Sequence, residues 1–274
     1  MKIIIPVGGL GSRFLKLAEE NPEYSKPKPL INIKGIPMVR WATGSLPFLQ
    51  HIDQEKNEQH RLEPKDLIFV IFEGHENDFE ISEKLKDIYS DKISIVIQKE
   101  PPPLGAAYGA WLTRDLISDR EDIIVTDSDH FFDGSYLDTI INNKRKDTAG
   151  IIPVFRARNE GIPKWSYSLT EPDSNIITRV GEKDPELMNA GAYANIGAYY
   201  FSKAKHFFDI AEKMIRQNRK FGPPGKEEFY IAPIYQILID QGYKVEAAVI
   251  PEVWGLGTPS DLDYFLANCY IKKP

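Results

Sequence analysis

An apolar run, Ile3-Ile4-Ile5-Pro6-Val7, ends abruptly in Gly8-Gly9-Leu10-Gly11-Ser12-Arg13, and this junction constrains the chain more than any other segment. The three glycines remove the side chains that would keep an anion away from backbone N–H groups, and Arg13 adds fixed positive charge at the same place. Downstream, Lys26-Pro27-Lys28-Pro29-Leu30 brings further cations. A strand running into a glycine turn also suggests dinucleotide binding, but that fingerprint wants G-x-G-x-x-G opening a helix, with an acid about 20 residues on. Here the turn reads G-G-x-G-S-R, and Pro22, Pro27 and Pro29 interrupt the following segment, which no continuous helix tolerates. The pattern therefore reads as a cradle for a triphosphate.

With 274 residues, 42% of them hydrophobic and 27% charged, the chain is long enough to bury a large core and ordinary enough in composition to be globular. A single domain over 1–274 is expected, with a nucleotide-binding half at 1–147 and an acceptor-binding half at 148–274. A net charge of −6 argues against a nucleic acid partner, which would demand a basic surface, so Arg13, Lys26 and Lys28 point to a small anion. The lone cysteine, Cys269, excludes an internal disulfide and a cysteine-based metal site, and reads as a buried thiol. No apolar run approaches the ~18 residues that span a bilayer, so no membrane partner and a cytoplasmic location are expected. Oligomeric state is not legible.

Short apolar runs alternate with amphipathic stretches. Strands are expected at Lys2–Val7, Leu67–Phe72, Ile93–Gln98 and Ile123–Thr126, with helices over Pro37–Leu49, Asn77–Tyr89 and Gly105–Ile117. Gln50–Asp66 is polar and highly charged and reads as a surface loop. Further strands are expected at Ala149–Phe155, Trp165–Thr170, Ile176–Glu182, Tyr193–Phe201 and Lys244–Ile250, with helices at Lys203–Gln217, Lys226–Gln241 and from Pro259. This order predicts an α/β fold, a Rossmann-like mixed and mainly parallel sheet flanked by helices. Such a sheet binds nucleotide beyond the carboxyl ends of its strands.

The glycine turn followed by P-K-P-L closely resembles the N-terminal signature of the sugar-1-phosphate nucleotidylyltransferases, the nucleotide-sugar pyrophosphorylases, which read G-G-x-G-[ST]-R and then P-K-x-L. The resemblance runs over nearly the whole chain and implies the nucleotide-diphospho-sugar transferase-like fold. It implies nucleotide contacts at Val7, Gly8, Gly9, Gly11 and Ser12. Gln98 through Ala107 is similar to the family's Q-x-x-x-L-G-T-A/G segment, which implies that Gln98 and the backbone of Gly105 face the nucleobase. An amide offers both donor and acceptor and suits a pyrimidine edge. Ala106 stands where the family commonly has threonine, which leaves the base open.

Two acids two residues apart at the end of the apolar run Ile123–Thr126, Asp127 and Asp129, read as ligands for Mg²⁺, which takes carboxylate and phosphate oxygens together. The family's G-D-N-x-F-x-G implies that Asp129 is its metal aspartate. His130 is a neighbour rather than a ligand. Val180-Gly181-Glu182-Lys183-Asp184 resembles V-x-E-K-P, implying that Glu182 holds acceptor hydroxyls and Lys183 meets the acceptor phosphate. Asn195-Ile196-Gly197-Ala198-Tyr199-Tyr200-Phe201 resembles N-x-G-I-Y-x-F, which implies an acceptor contact at Asn195. Glu227-Glu228-Phe229-Tyr230-Ile231 is similar to a helix start near the acceptor, and reads equally as acids favouring a helix dipole.

Two departures stand out. Where the family has W-x-D-x-G-T, this chain has Trp254-Gly255-Leu256-Gly257-Thr258-Pro259, without the second metal aspartate. Asp127 is the expected substitute, ahead of Glu252 and Asp261. At Trp165-Ser166-Tyr167, Tyr167 takes the place of a glycine that lies against the sugar in hexose-handling members, so Tyr167 is expected to reshape the acceptor pocket. The reaction implied is nucleotidyl transfer from a nucleoside triphosphate to a sugar phosphate or similar small acceptor, with Arg13, Lys28 and Asp129 as catalytic residues and Mg²⁺ as cofactor. A cytidylyltransferase for a non-sugar phosphate, a glycosyltransferase using Asp127-x-Asp129, and a nucleotide-binding regulator are the alternatives.

Overall fold

The computed structural model describes residues 1–46, 62–157 and 161–270. The end of the helix expected over Pro37–Leu49 and most of the loop expected over Gln50–Asp66 therefore lie outside the described residues. In chain order the strands are β1 (Lys2–Pro6), β2 (Asn32–Ile33), β3 (Ile36–Pro37), β4 (Leu67–Phe72), β5 (Ser94–Gln98), β6 (Ile123–Thr126) and β7 (His130–Phe132). They continue as β8 (Thr148–Phe155), β9 (Ser166–Thr170), β10 (Ile177–Glu182), β11 (Tyr193–Asn195), β12 (Ala198–Phe201), β13 (Lys244–Val249) and β14 (Val253–Gly255).

The chain forms two compact units from interleaved segments. One comprises Met1–Ile4, Leu104–Thr126 and Tyr136–Pro251, the other Ile5–Pro103, Asp127–Ser135 and Glu252–Pro274. In the first, β6 pairs in parallel with the start of β1 and antiparallel with β12. β8 takes β11 and β12 antiparallel and β13 parallel, and β9 lies between β11 and β10, antiparallel to both. Every residue of β6 is buried, which is why its sequence is an unbroken apolar run rather than an alternation. The helix Ala204–Arg216 repeats its buried side chains as Ala204, Phe207, Phe208, Ala211 and Met214, the stripe of a helix lying on a sheet. Tyr235, on the helix Ala232–Asp240, stacks on Phe201 at 4.5 Å and donates its hydroxyl to the Tyr200 carbonyl at 2.7 Å.

In the second unit β4 and β5 pair in parallel, and Val7 N–H donates to the Val70 carbonyl at 2.8 Å. β7 pairs with β14 and β2 with β3, both antiparallel. Its core gathers Phe14, Trp41, Phe131, Trp254, Leu256 and Phe265. Trp41 meets Phe131 and Phe265 edge to face at 5.2 and 5.0 Å and donates its indole N–H to the Ile33 carbonyl.

The α/β class and mixed helix-flanked sheet expected from the pattern are borne out. Local differences have local causes. The helix expected over Asn77–Tyr89 is two, Glu73–Phe79 and Ile81–Tyr89, because Glu80 turns left-handed at φ 50°. The strand expected over Tyr193–Phe201 divides into β11 and β12 at Ile196-Gly197, where Gly197 has φ 92°. The helix expected from Lys226 begins only at Ala232, since Glu228 pairs with Phe221 in an antiparallel bridge instead. β7 and β14 carry too few residues for a periodic signal. No helix among the described residues is long and apolar enough to cross a membrane.

Phe265 is fully buried and meets Trp41, Phe131 and Trp254. Phe265→Ala should lower the unfolding free energy by about 3–5 kcal/mol in urea titration. A loss under about 1 kcal/mol would show that the C-terminal helix is dispensable to this core.

Candidate active site

β1 delivers the chain into the glycine turn. Gly11 sits at φ 63°, a left-handed conformation that other residues rarely adopt, and its carbonyl then accepts from Phe14 and Leu15 to start the short helix Ser12–Leu15. Among the described residues, nothing accepts a hydrogen bond from the N–H groups of Gly8, Gly9, Leu10, Gly11 or Ser12. Gly9 has open space where a side chain would be. Ser12 and Arg13 are exposed at the end of this row, whereas Val7, just past β1, is buried with its N–H committed to Val70.

Lys28 lies against the turn: a side chain added at Gly11 would come within 3.5 Å of Lys28 Cβ. Lys28 Nζ donates to Asp129 Oδ2 at 2.7 Å, closing a pair 101 residues apart in sequence. Burial alone would push the Asp129 carboxyl up, but the charge and hydrogen bond of Lys28, with His130 and Arg13 behind them, hold it below the usual carboxylate range. His130 is buried at the start of β7, and desolvation lowers it to about 4, so it is neutral at physiological pH. Asp127 is half-buried at the end of β6, two residues before Asp129.

Two carboxylates offering only hard oxygen, one already accommodating a cation at 2.7 Å, fit magnesium, which takes one or two carboxylates and completes its shell with substrate phosphates and water. No group of three or more His, Cys, Asp or Glu side chains gathers as a metal site among the described residues. The other acids considered as a second ligand are engaged or exposed. Asp261 Oδ2 accepts from Thr258 Oγ1 at 2.6 Å in the cap of the C-terminal helix, and Glu252 is exposed. Leu256, taken from the sequence as the position of the missing aspartate, is fully buried in the aromatic core and contributes only its N–H, which donates to the Asp129 carbonyl at 2.8 Å. Gly257 is the residue that abuts the carboxylate: a Cβ there would lie 2.5 Å from Asp129 Oδ2.

Gln98, at the end of β5, donates from Nε2 to the Glu100 carbonyl at 2.8 Å, and its Oε1 lies 3.8 Å from the side-chain direction of Gly8. Gly8, Gly9, Gly11, Ser12, Arg13, Lys28, Gln98, Asp127 and Asp129 all belong to one unit.

Gly105, Tyr167, Glu182, Lys183 and Asn195 belong to the other. Gly105 has φ 96°, and a Cβ would come within 2.5 Å of the Phe229 carbonyl oxygen. Glycine is required there by close backbone approach, irrespective of any base contact. Across β10, β9 and β11, Glu182 stands opposite Ser166, and Gly181 and Ala194 stand opposite Tyr167. Side chains alternate along a strand, so Ser166 and Ser168 share one face and Tyr167 points to the other. Ser166 Oγ donates to Glu182 Oε2, and Ser168 Oγ to Asn195 Oδ1 at 2.7 Å. Asn195 Nδ2 is buried with no hydrogen-bond partner among the described residues, a donor that an acceptor atom would satisfy. Tyr167 instead packs with Leu187, Met188 and Ala194. The expectation that Tyr167 reshapes an acceptor pocket is therefore corrected: the pleat turns it into the core, and Ser166 and Ser168 occupy the polar face. Neither serine was singled out from the sequence, although the alternating Ser166-Tyr167-Ser168 carries that signal.

Lys183 takes φ 49° at the end of β10, its N–H donating to the Trp165 carbonyl at 3.0 Å. Its Nζ donates to Tyr230 Oη at 2.9 Å and lies 3.6 Å from Glu182 Oε1. Burial pushes the Glu182 carboxyl up, against the opposing pull of Ser166 and Lys183.

The same fold occurs in the nucleoside-diphosphate-sugar pyrophosphorylase of Vibrio cholerae RC9, with a TM-score of 0.71 at 19% identity over 97% of this chain and 100% of that one. It occurs also in the inositol-1-phosphate CTP transferase of T. maritima, with a TM-score of 0.65 at 17% identity over 99% and 98%. In sequence the chain is 26% identical to the bifunctional protein GlmU of Thermodesulfovibrio yellowstonii, over 99% of its own length and 52% of that protein. It is 24% identical to the mannose-1-phosphate guanylyltransferase catalytic subunit beta of Dictyostelium discoideum, over 74% and 50%. The chain thus spans about half the length of these curated relatives. Residues 2–263 match the nucleotidyl transferase family, and the chain belongs to it.

A carboxyl raised by folding holds its proton more tightly folded than unfolded. Its contribution is therefore full below the ordinary value of 4.5 and is lost as pH climbs through the raised one. Glu182→Gln should melt above wild type at pH 7, the gap closing below pH 4.5, as followed by calorimetry. Tyr167→Ala should lose roughly 3 kcal/mol of stability through its core contacts. An equally stable variant would return Tyr167 to the polar face.

Proposed function

We propose that this chain transfers a nucleoside monophosphate from a nucleoside triphosphate to a small phosphorylated acceptor, releasing pyrophosphate. The observation that carries the reading is the row of N–H groups from Gly8 to Ser12, which have no acceptor among the described residues, flanked by Arg13 and by the Lys28–Asp129 pair. Consecutive N–H groups and two cations suit three linked phosphates, and that combination has no use in a protein that binds a neutral ligand.

A phosphate oxygen of the acceptor attacks the α-phosphorus, and the bond to the leaving pyrophosphate breaks in line. Positioning and charge neutralisation supply most of the catalysis in such transfers, so no side-chain nucleophile is invoked. An ionised phosphate is itself the nucleophile, so no general base is needed. Arg13 and Lys28 stabilise charge on the departing pyrophosphate. Asp129 with Asp127 would hold magnesium, which would supply further charge neutralisation there. Gln98 Oε1, for which no donor is recorded among the described residues, is the group left to read a hydrogen on the base. Glu182, Asn195 and Lys183 take the acceptor, Asn195 through its unpartnered Nδ2. The names of the relatives support a sugar or polyol phosphate: one acts on mannose 1-phosphate, and one fold neighbour on inositol 1-phosphate with CTP.

Pyrophosphate release from a matrix of four nucleoside triphosphates against phosphorylated acceptors tests the reading directly. Release should require Mg²⁺ and stop with EDTA. Arg13→Ala and Lys28→Ala should each slow turnover by roughly a hundredfold or more, Arg13→Ala without a change in melting because that side chain is exposed. Near wild-type turnover in either variant would refute the cradle, and release of nucleoside diphosphate from a nucleotide sugar would favour a glycosyltransferase.

A further inference from the structure

Tyr230 is held in place although it lies outside any regular element. Phe229 N–H donates to the Leu104 carbonyl and Ala107 N–H to the Phe229 carbonyl, both at 2.9 Å, and Glu228 pairs with Phe221. The ring is flanked by Gly222, whose missing Cβ would fall 3.1 Å from Tyr230 Cε2. These contacts fix the phenol beside Lys183, whose Nζ donates to Oη at 2.9 Å and lies 4.7 Å from the ring centre.

Donor accounting then leaves two hydrogens over. The Lys183 ammonium has three N–H groups, of which one goes to Tyr230 and one faces Glu182. Tyr230 Oη accepts from Lys183, so its own hydrogen points elsewhere, and no acceptor for it is recorded among the described residues. Burial and the Lys183 hydrogen bond act oppositely on the Tyr230 hydroxyl, and burial wins, so it stays protonated. Lys183 is lowered by burial but raised more by Tyr230, Glu182 and Glu228, so it stays charged.

We propose that Tyr230 is a second donor to the acceptor's phosphate, its hydroxyl and the Lys183 ammonium gripping the phosphate together. This rests on the nucleotidyl-transfer reading above, in which Lys183 takes the acceptor, and on the phosphate contact that the resemblance at Glu182-Lys183 implies for it. The surroundings explain why the second donor is neutral. Glu182 and Glu228 face Lys183, so the ammonium is already balanced by carboxylates and attracts a phosphate only weakly on its own. A phenol adds a hydrogen bond to an anion without altering that balance, and a hydrogen bond to a charged group is the stronger kind.

The test needs no knowledge of the natural acceptor. Inorganic phosphate serves as the probe, and the readout is protection of Lys183 from trace acylation, quantified by peptide mass spectrometry in wild type and Tyr230→Phe. Phenylalanine keeps the ring beside Gly222 and over Lys183, and matching melting curves confirm the fold. Phosphate should slow Lys183 acylation in wild type, and the half-protecting concentration should rise about tenfold in Tyr230→Phe. An equal half-protecting concentration in both proteins, or no protection in either, overturns the proposal. The outcome separates from the catalytic reading. Protection that persists while Arg13→Ala and Lys28→Ala retain turnover refutes the triphosphate cradle alone, and failed protection with those variants inactive refutes Tyr230 alone.

Discussion

A carboxylate drawn into a protein at the end of a strand has to be balanced by a cation, and Lys28 does this for Asp129. Much of the unit around it serves that pairing. The left-handed turn at Gly11 lies against Lys28, and the aromatic core of Phe14, Trp41, Phe131, Trp254 and Phe265 belongs to the same unit. The N–H of Leu256 on the Asp129 carbonyl fixes the backbone that carries the acid. Asp129 is consequently ionised and oriented before any ligand arrives, and in the proposed reaction it would need little reorganisation.

The other unit prepares its groups differently. Ser166 and Ser168 each hold a residue proposed to take the acceptor, Glu182 and Asn195, and both serines owe their position to the pleat of β9 between two antiparallel neighbours. The arrangement leaves costs unrelieved: a buried amide nitrogen on Asn195, a carboxyl on Glu182 pushed up by burial, and a left-handed backbone at Lys183. Groups strained or unsatisfied in this way persist where a ligand supplies the missing partner.

Gly105 shows how a residue can carry a structural reason that its motif does not reveal. The backbone of Phe229 runs so close that no side chain fits, and the hydrogen bonds from Phe229 to Leu104 and from Ala107 to Phe229 tie the expected base-contacting segment to the one that carries Tyr230.

The amino-acid sequence by itself determined the α/β class, most strand positions and the glycine turn with its basic residues, because unbroken apolar runs and glycines at a strand end are local signals. It also placed Lys28 and Asp129 in one chemistry through recognisable motifs. Only the tertiary structure decided that they touch, that Tyr167 faces the core while Ser166 and Ser168 face the polar side, and that Gly257 rather than Leu256 abuts the Asp129 carboxylate. Facing depends on which strands flank a strand and in what register, and a shift of one residue reverses it. The pairing of Lys183 with Tyr230 was out of reach for the same reason: the two are 47 residues apart, and the contact exists only because the Phe229 backbone is bound to Leu104 and Ala107.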